Sequence, residues 1–169
     1  AFLGKYLATG MPLVAKRLTV AGSAVKNPQN VWVPLGTPYQ DVIAFCGGYV
    51  QQPEEVLMGG PMMGIDVYND AFPVLKNNNA ILAFTAEDVK TPPESPCIRC
   101  GKCVSACPFN LMPAAIDRAQ RAGNVEKLAE LKVNLCMECG CCAYVCPAKR
   151  QLVLSNRLAK KLLREQGKR

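Results

Sequence analysis

Histidine is absent from the 169-residue chain. Its absence excludes Ser-His and Cys-His catalysis, histidine-ligated zinc, Rieske-type clusters and haem with a histidine axial ligand. No apolar run approaches the roughly 18 to 20 residues that span a bilayer. The start of the chain has neither the basic nor the apolar region of a secretion signal. We therefore expect no membrane-spanning segment and a reducing, cytoplasmic environment.

The chain also lacks an initial methionine, and the apolar residues near its start are typical of the interior of a longer sequence. We therefore expect a fragment of a larger protein. Half of the residues are apolar, which allows a packed core. The length suits one ordinary domain or two small ones.

Charge and cysteine are distributed unevenly along the chain. Residues 1–96 carry 6 Lys/Arg and 8 Asp/Glu, whereas residues 97–169 carry 14 and 5. Nine of the ten cysteines lie between Cys97 and Cys146. Both changes occur next to residues 85–96, which are polar and rich in proline. The sequence therefore predicts two modules, 1–84 and 97–150, joined by a linker at 85–96.

The first module alternates short β-branched or aromatic runs with turn signals, as sheets do. Strands are predicted at 18–21, 31–33, 56–58, 72–75 and 80–84. One short helix is predicted with Thr37 as its cap and Pro38 in its first position. Gly47 and Gly48 would end this helix. The predicted class is α+β.

The second module is predicted to be helical. Residues 113–122 and the stripe of Val125, Leu128 and Leu131 have helical spacing. Residues 151–169 form a basic amphipathic helix and tail, with the apolar stripe beginning at Leu154. The basic residues favour a solvated face, with docking to an acidic protein or an anionic membrane surface as the alternative. Nucleic acid is disfavoured because no aromatic residue is interleaved for base stacking.

The cysteines form the pattern C-x2-C-x2-C-x3-C-P twice, starting at Cys97 and at Cys136. This is the bacterial ferredoxin pattern for 4Fe-4S clusters, in which the fourth cysteine of each run ligates the other cluster. The predicted ligands are Cys97, Cys100, Cys103 and Cys146 for one cluster, and Cys136, Cys139, Cys142 and Cys107 for the other.

Zinc sites and disulfides are the alternatives for these cysteines. Zinc is disfavoured because its sites usually show paired C-x2-C units separated by a longer gap. Cys46 and Cys141 fall outside the repeated pattern. We leave both unassigned, since a lone cysteine is more often a small buried apolar residue than a ligand.

Taken together, these residues resemble the C-terminal part of the C subunit of the Rnf complex, a membrane-bound NADH:ferredoxin oxidoreductase. The runs LTVAG (18–22) and VPLGT (33–37) resemble its soluble-ligand-binding β-grasp (SLBB) domain, and GGPMMG (59–64) resembles the segment that follows. The cysteine runs and NLMP (110–113) resemble its cluster domain. The 28 residues between Cys107 and Cys136 resemble an all-helical ferredoxin domain.

The resemblance implies an electron-transfer fragment that relays single electrons through two 4Fe-4S clusters in an ion-translocating complex. The implied partners are the other subunits of a membrane redox complex, with ferredoxin as a further candidate. The implied location is peripheral, on the cytoplasmic face of the bacterial cell membrane. Flavin and NADH would bind only in an N-terminal region outside these residues, since no glycine-rich dinucleotide motif follows a strand here.

Two other functions are compatible with the sequence. One is a flavin and iron-sulfur cobalamin reductase of the propanediol-utilisation type, which shares the same layout. The other is a redox-sensing ligand-binding or assembly protein, in which the β-grasp domain binds a small molecule. On the resemblance to the Rnf subunit, the fragment alone would not oxidise NADH, so we expect an electron carrier within an oxidoreductase complex and assign no catalytic residue.

Overall fold

The computed structural model describes residues 2–90 and 92–167. The chain divides into two compact units, Ala1–Lys90 and Thr91–Arg169. The division lies within the polar stretch 85–96. No helix among the described residues is long and apolar enough to cross a bilayer.

The first unit contains a mixed five-stranded sheet in the order β2-β1-β5-β3-β4. Its strands are β1 (Ala15–Ala21), β2 (Gln29–Pro34), β3 (Glu55–Met58), β4 (Ile65–Asp66) and β5 (Ala80–Phe84). Strand β1 pairs antiparallel with β2 and parallel with β5, while β3 pairs antiparallel with both β5 and β4. Together with the helices, this sheet confirms the α+β class.

Two helices, α1 (Phe2–Thr9) and α2 (Tyr39–Phe45), belong to the same unit. Helix α2 covers the apolar face of the sheet, where its Tyr39 and Ile43 are buried with Leu18 of β1 and Ile81 of β5. The Tyr39 hydroxyl accepts a hydrogen bond from Nδ2 of the buried Asn78. This pairing satisfies a polar group that burial would otherwise penalise.

Several predicted details of the first unit are wrong. Pro38 is the residue before helix α2, not its first residue, and Thr37 donates to the Pro34 carbonyl instead of capping the helix. Residues 72–75 form no strand; only one isolated bridge joins Pro73 to Pro38. Backbone hydrogen bonds still join residues 36–40 to residues 70–74. Because neither proline of the bridge has an N–H to donate, these bonds form no regular ladder. Helix α1 and strand β4 were not predicted.

Every regular element among the described residues of the second unit is helical. The helices are α3 (Lys102–Ser105), α4 (Pro113–Arg121), α5 (Val125–Glu130), α6 (Cys141–Tyr144) and α7 (Leu152–Glu165), with a 3-10 turn at Val133–Leu135. Pro113 opens α4, and the Asn124 side chain caps α5 by accepting from the Lys127 N–H. The apolar sides of α4, α5 and α7 meet in one core, which includes Ile116, Leu128 and Leu163.

The second unit contains an internal repeat with an offset of 39 residues. Counted from the first cysteine of each run, α3 and α6 begin at the same position, and so do α4 and α7. The backbone repeats as well, because the residues with positive φ include three equivalent pairs. These pairs are Arg99 and Glu138, Gly101 and Gly140, and Asn110 and Lys149.

Candidate metal centres

Eight cysteines of the second unit line two cavities. The first cavity is lined by Cys97, Cys100, Cys103 and Cys146. The second cavity is lined by Cys136, Cys139, Cys142 and Cys107. Each cavity thus combines three cysteines of one run with the fourth cysteine of the other, which are the two sets that the spacing predicts.

The two cavities differ in their access to solvent. The first has about 860 Å³ of empty space, including the solvent at its mouth, and its Cys97 and Cys100 are exposed. The second has about 350 Å³, and its Cys142 is buried. A group held in the first cavity would therefore be nearer to solvent than one held in the second.

Left-handed residues shape the backbone around each cavity. Arg99 and Glu138, each just before the second cysteine of its run, have φ of 57° and 59°. Such a conformation costs a residue with a side chain about 1–2 kcal/mol. Its recurrence at the same position in both runs indicates a functional constraint. At the next equivalent pair, Gly101 and Gly140, the left-handed residue precedes a short helix that carries the third cysteine.

Hydrogen-bond donors point at two sulfur atoms of the second cavity, those of Cys107 and Cys136. The Leu111 N–H lies 3.4 Å from Cys107 Sγ, and the Glu138 N–H lies 3.4 Å from Cys136 Sγ. The side-chain amide of Asn156 also donates to Cys136 Sγ, at 3.3 Å. Donors in this arrangement favour thiolate over thiol and influence the potential of a bound cluster.

One thiol in each cavity, Cys103 in the first and Cys142 in the second, is a poor nucleophile without a metal. Burial, and after it the neighbouring sulfurs of Cys136 and Cys139, raises the pKa of Cys142 to about 12. Burial likewise raises the pKa of Cys103. A nucleophilic cysteine needs a lowered pKa. Deprotonation of these thiols instead calls for a bound cation, as a metal centre supplies.

The donor sets fit 4Fe-4S clusters. Each cavity offers four sulfur donors, one for each iron of a cubane, with no histidine or carboxylate among the predicted ligands. Within residues 2–90 and 92–167, no three cysteine or carboxylate groups converge as closely as a single metal ion requires. Cys103, Cys142 and Cys146 also pack in one small apolar cluster, so the walls of the two cavities are in contact.

Charged residues distinguish the two cavities. Three arginines, Arg99, Arg118 and Arg150, line the first cavity. The only charged side chain among the described residues that line the second is Glu138. Its carboxylate pairs with Arg157 at 3.0 Å and with Lys160 at 2.7 Å, both from helix α7. Burial alone would raise the pKa of Glu138, but Lys160 and then Arg157 hold it below the ordinary value.

Asp117 on helix α4 is a buried charge that sequence reasoning did not predict. Its carboxylate accepts hydrogen bonds from Ser155 Oγ at 2.7 Å, Arg121 Nε at 2.9 Å and Arg150 Nε at 3.0 Å. It therefore joins α4 to α7 and to the segment after Cys146. The one available signal was its position beside Ile116, at the edge of an apolar helical stripe.

The basic C-terminal helix follows the prediction only in part. Lys161 and Arg164 are exposed, as a solvated face requires, whereas Arg157 and Lys160 pair with Glu138. Arg150, which precedes the helix, pairs with Asp117. Residues 168 and 169 lie outside the described residues. The helix itself is part of the core, since Ala159 and Leu163 are buried.

The two unassigned cysteines have different surroundings. Cys46 is completely buried in the core of the first unit and packs there as a small apolar residue. Cys141 is partly exposed at the start of helix α6, where its side chain is hydrogen-bonded to Cys139.

Two domain models match the sequence. Residues 17–66 match the SLBB domain, and residues 96–149 match the 4Fe-4S dicluster domain. The first match covers β1 to β4, and the second covers both cysteine runs. The chain therefore carries a ferredoxin-type iron-sulfur domain.

Curated proteins similar to this chain include the C subunits of several ion-translocating oxidoreductase complexes. The chain is 43% identical over 160 residues to the C subunit of the ion-translocating oxidoreductase complex of Rhodobacter capsulatus, covering 95% of the chain and 31% of that protein. It is 41% identical to the C subunit of the Na⁺-translocating ferredoxin:NAD⁺ oxidoreductase complex of Acetobacterium woodii, covering 95% of the chain and 36% of that protein. The corresponding subunit of the proton-translocating complex of Clostridium ljungdahlii is 43% identical over 108 residues, which are 64% of the chain and 24% of that protein. The chain thus spans about a third or less of these relatives.

Proposed function

The chain is related along 95% of its length to the C subunits of ion-translocating oxidoreductase complexes, and on this premise we propose that it is an electron-transfer module. In this proposal it relays single electrons through two 4Fe-4S clusters within a membrane-associated, ion-translocating NADH:ferredoxin oxidoreductase. The second unit is an all-helical ferredoxin that holds both clusters.

One observation carries the proposal. Each cavity of the second unit is lined by three cysteines of one run and by the fourth cysteine of the other. The proposed ligands are those predicted from the spacing, with Cys146 completing the first cluster and Cys107 the second. A 4Fe-4S cluster held by four thiolates takes up and releases one electron at a time.

The cysteines also bring the two sites close together. Cys103 of the first cavity and Cys142 of the second pack in the same apolar cluster. The Cys103 sulfur is near enough to contribute to the raised pKa of Cys142. Because an electron hop needs neighbouring centres, this contact is the proposed route between the two clusters.

The relay has a place in a larger assembly. We assign NADH and flavin to a region of the whole protein N-terminal to these residues, and the chain itself acts as a carrier. The other subunits of the complex are its partners, with ferredoxin as a candidate. The complex would hold the chain peripherally, on the cytoplasmic face of the bacterial membrane.

The first unit has the role of a docking scaffold in this proposal. It contains no histidine. Apart from the adjacent glutamates Glu54 and Glu55, we assign it no pair of residues for general acid-base catalysis. The division into a β-grasp-like domain (1–84), a linker (85–96), a cluster domain (97–150) and a C-terminal helix with its tail (151–169) is part of the same proposal.

An anaerobic iron and sulfide count, followed by an EPR spectrum after dithionite reduction, tests the proposal. We expect about eight irons and about eight sulfides per chain, with the broadened spectrum of two spin-coupled clusters. Zinc in place of iron, or about four irons with an uncoupled signal after careful reconstitution, would overturn the two-cluster relay.

A further inference from the structure

Helix α7 supports the second cavity through three side chains. Arg157 and Lys160 hold Glu138, and Lys160 also donates to the Cys136 carbonyl. Asn156 donates directly to the Cys136 sulfur, at 3.3 Å. Of the three, Asn156 alone touches a sulfur atom that the proposed function assigns to a cluster.

Asn156 is buried at a cost to stability. It is 1% exposed, and its Oδ1 has no hydrogen-bond partner among the described residues. A buried polar atom without a partner is unfavourable, and an apolar side chain of the same shape would avoid the penalty. The amide donor to Cys136 is the interaction that offsets this cost.

The internal repeat supplies a comparison within the same molecule. Counted from the first cysteine of its run, Asn156 of α7 is equivalent to Asp117 of α4. Asp117 accepts hydrogen bonds from two arginines and a serine, whereas Asn156 donates to a sulfur. A carboxylate accepts hydrogen bonds from the arginines and the serine, whereas a thiolate needs a donor, which the amide NH₂ group of asparagine provides. The residue type at each position therefore matches its partner.

We propose that Asn156 is a positioning residue that raises the reduction potential of the cluster held by Cys136, Cys139, Cys142 and Cys107. The inference rests on the proposed function, since it requires a cluster in the second cavity. Reduction adds negative charge to a cluster and its thiolates, so a donor to Cys136 Sγ stabilises the reduced state more than the oxidised state. Among the hydrogen bonds of the described residues, the first cavity has no matching side-chain amide donor to a sulfur. The two clusters therefore differ although their ligand spacing is identical.

The test compares Asn156→Leu and Asn156→Val with the wild-type chain by EPR-monitored redox titration under anaerobic conditions. Leucine is close to asparagine in size, and valine is a smaller apolar alternative. Gln166→Leu is the matched control, because it removes an exposed amide from the end of the same helix. Iron content is measured on each sample before titration.

We expect one of the two midpoint potentials to fall in both Asn156 variants, while the other potential and the control remain unchanged. At a fixed solution potential, the ratio of oxidised to reduced cluster should rise by up to about tenfold, which corresponds to a fall of about 59 mV in the midpoint potential of a one-electron couple. An unchanged potential in either variant that keeps its iron would overturn the inference. Loss of the second cluster from both variants would also overturn it, by showing that Asn156 retains the cluster instead of setting its potential.

Failure of the proposed function would look different. Fewer than two clusters in the wild-type chain would contradict the relay. As long as the cluster of the second cavity forms, its potential in the Asn156 variants still tests the inference.

Discussion

Cys107 and Cys146 each lie in the cavity of the other cysteine run. At the scale of single residues, this exchange is the most specific feature of the second unit. Each of these two cysteines connects one run to the site formed by the other.

We predict that Cys107→Ser removes the cluster of the second cavity and leaves that of the first. A serine oxygen replaces one of four thiolates, and a cubane with three thiolates loses iron readily. EPR spectra of reduced Cys107→Ser and Cys146→Ser would each show one uncoupled signal, and the two signals would differ. Cys141→Ser is the control and should retain both clusters. If Cys107→Ser removed the same signal as Cys97→Ser, the ligand assignment would be wrong.

Asp117 contributes to the pH dependence of the second unit's stability. Burial alone would raise its pKa, but hydrogen bonds from Ser155, Arg121 and Arg150 lower it below the ordinary value of 3.8. A carboxyl with a lowered pKa stabilises the fold fully above its unfolded pKa, and this stabilisation is lost only as the pH falls through the folded pKa.

We therefore expect Asp117→Asn to reduce the free energy of unfolding by about 3 kcal/mol, equally at every pH above about 5. This value is at the lower end for a broken buried ion pair, because Arg121 is half exposed. Anaerobic denaturant titrations of the cluster-loaded chain between about pH 5.5 and 8 would measure it. The exposed Asp88→Asn serves as the control. A difference that disappeared near neutral pH would contradict this account.

At the scale of elements, Gly22 shows how closely β1 approaches its neighbour. Its φ is 115°, and a Cβ built on it would lie 2.0 Å from the Ala83 carbonyl oxygen of β5. The turn after β1 therefore allows no side chain, for reasons of both conformation and space. Gly36 has a similar φ of 91° but nothing within 4 Å of such a Cβ.

We expect Gly22→Ala to destabilise the first unit by several kcal/mol, and Gly36→Ala by only about 1 kcal/mol. The difference between the two variants isolates the steric clash from the backbone strain. Thermal unfolding of both variants, monitored by circular dichroism, would measure it. Equal losses of stability would show that β5 can move away from Gly22.

The elements that the sequence predicted well are those with local signals. Helix α4 begins at Pro113 as expected, and strands β1 and β2 contain the runs predicted at 18–21 and 31–33. Helices α3 and α6 were not predicted, because four residues are too few for an apolar period. Their positions depend on left-handed glycines and on the cysteines that they carry.

The polar partners around the site could not be predicted for a different reason. Asp117 and Arg150 are 33 residues apart, and Asn156 and Cys136 are 20 apart. Only the packing of the helices brings these residues together, and no local sequence pattern indicates these contacts. The cysteine sets were accessible to sequence reasoning because their spacing is local and is repeated.

At the scale of the whole molecule, the two cavities should differ in their sensitivity to oxygen. Cys97 and Cys100 are exposed, whereas Cys136 and Cys139 are partly buried and Cys142 is buried. We predict that the first cluster is lost before the second during brief exposure to air. EPR spectra of samples taken at intervals and then reduced would show a coupled spectrum changing to a single uncoupled signal. Simultaneous decay of both clusters would contradict this prediction.

The exchange of fourth cysteines also bears on ancestry. One half of the repeat alone would supply only three thiols to its own cavity. Its fourth thiol would have no second cavity to complete, because that cavity is formed by the other run. A half-length ancestor could have completed its clusters only as a symmetric dimer, in which each copy supplied one ligand to the other. Duplication and fusion of its gene would then have joined the two copies in one chain. Two halves in one chain need not stay identical, and Asp117 and Asn156 differ at equivalent positions.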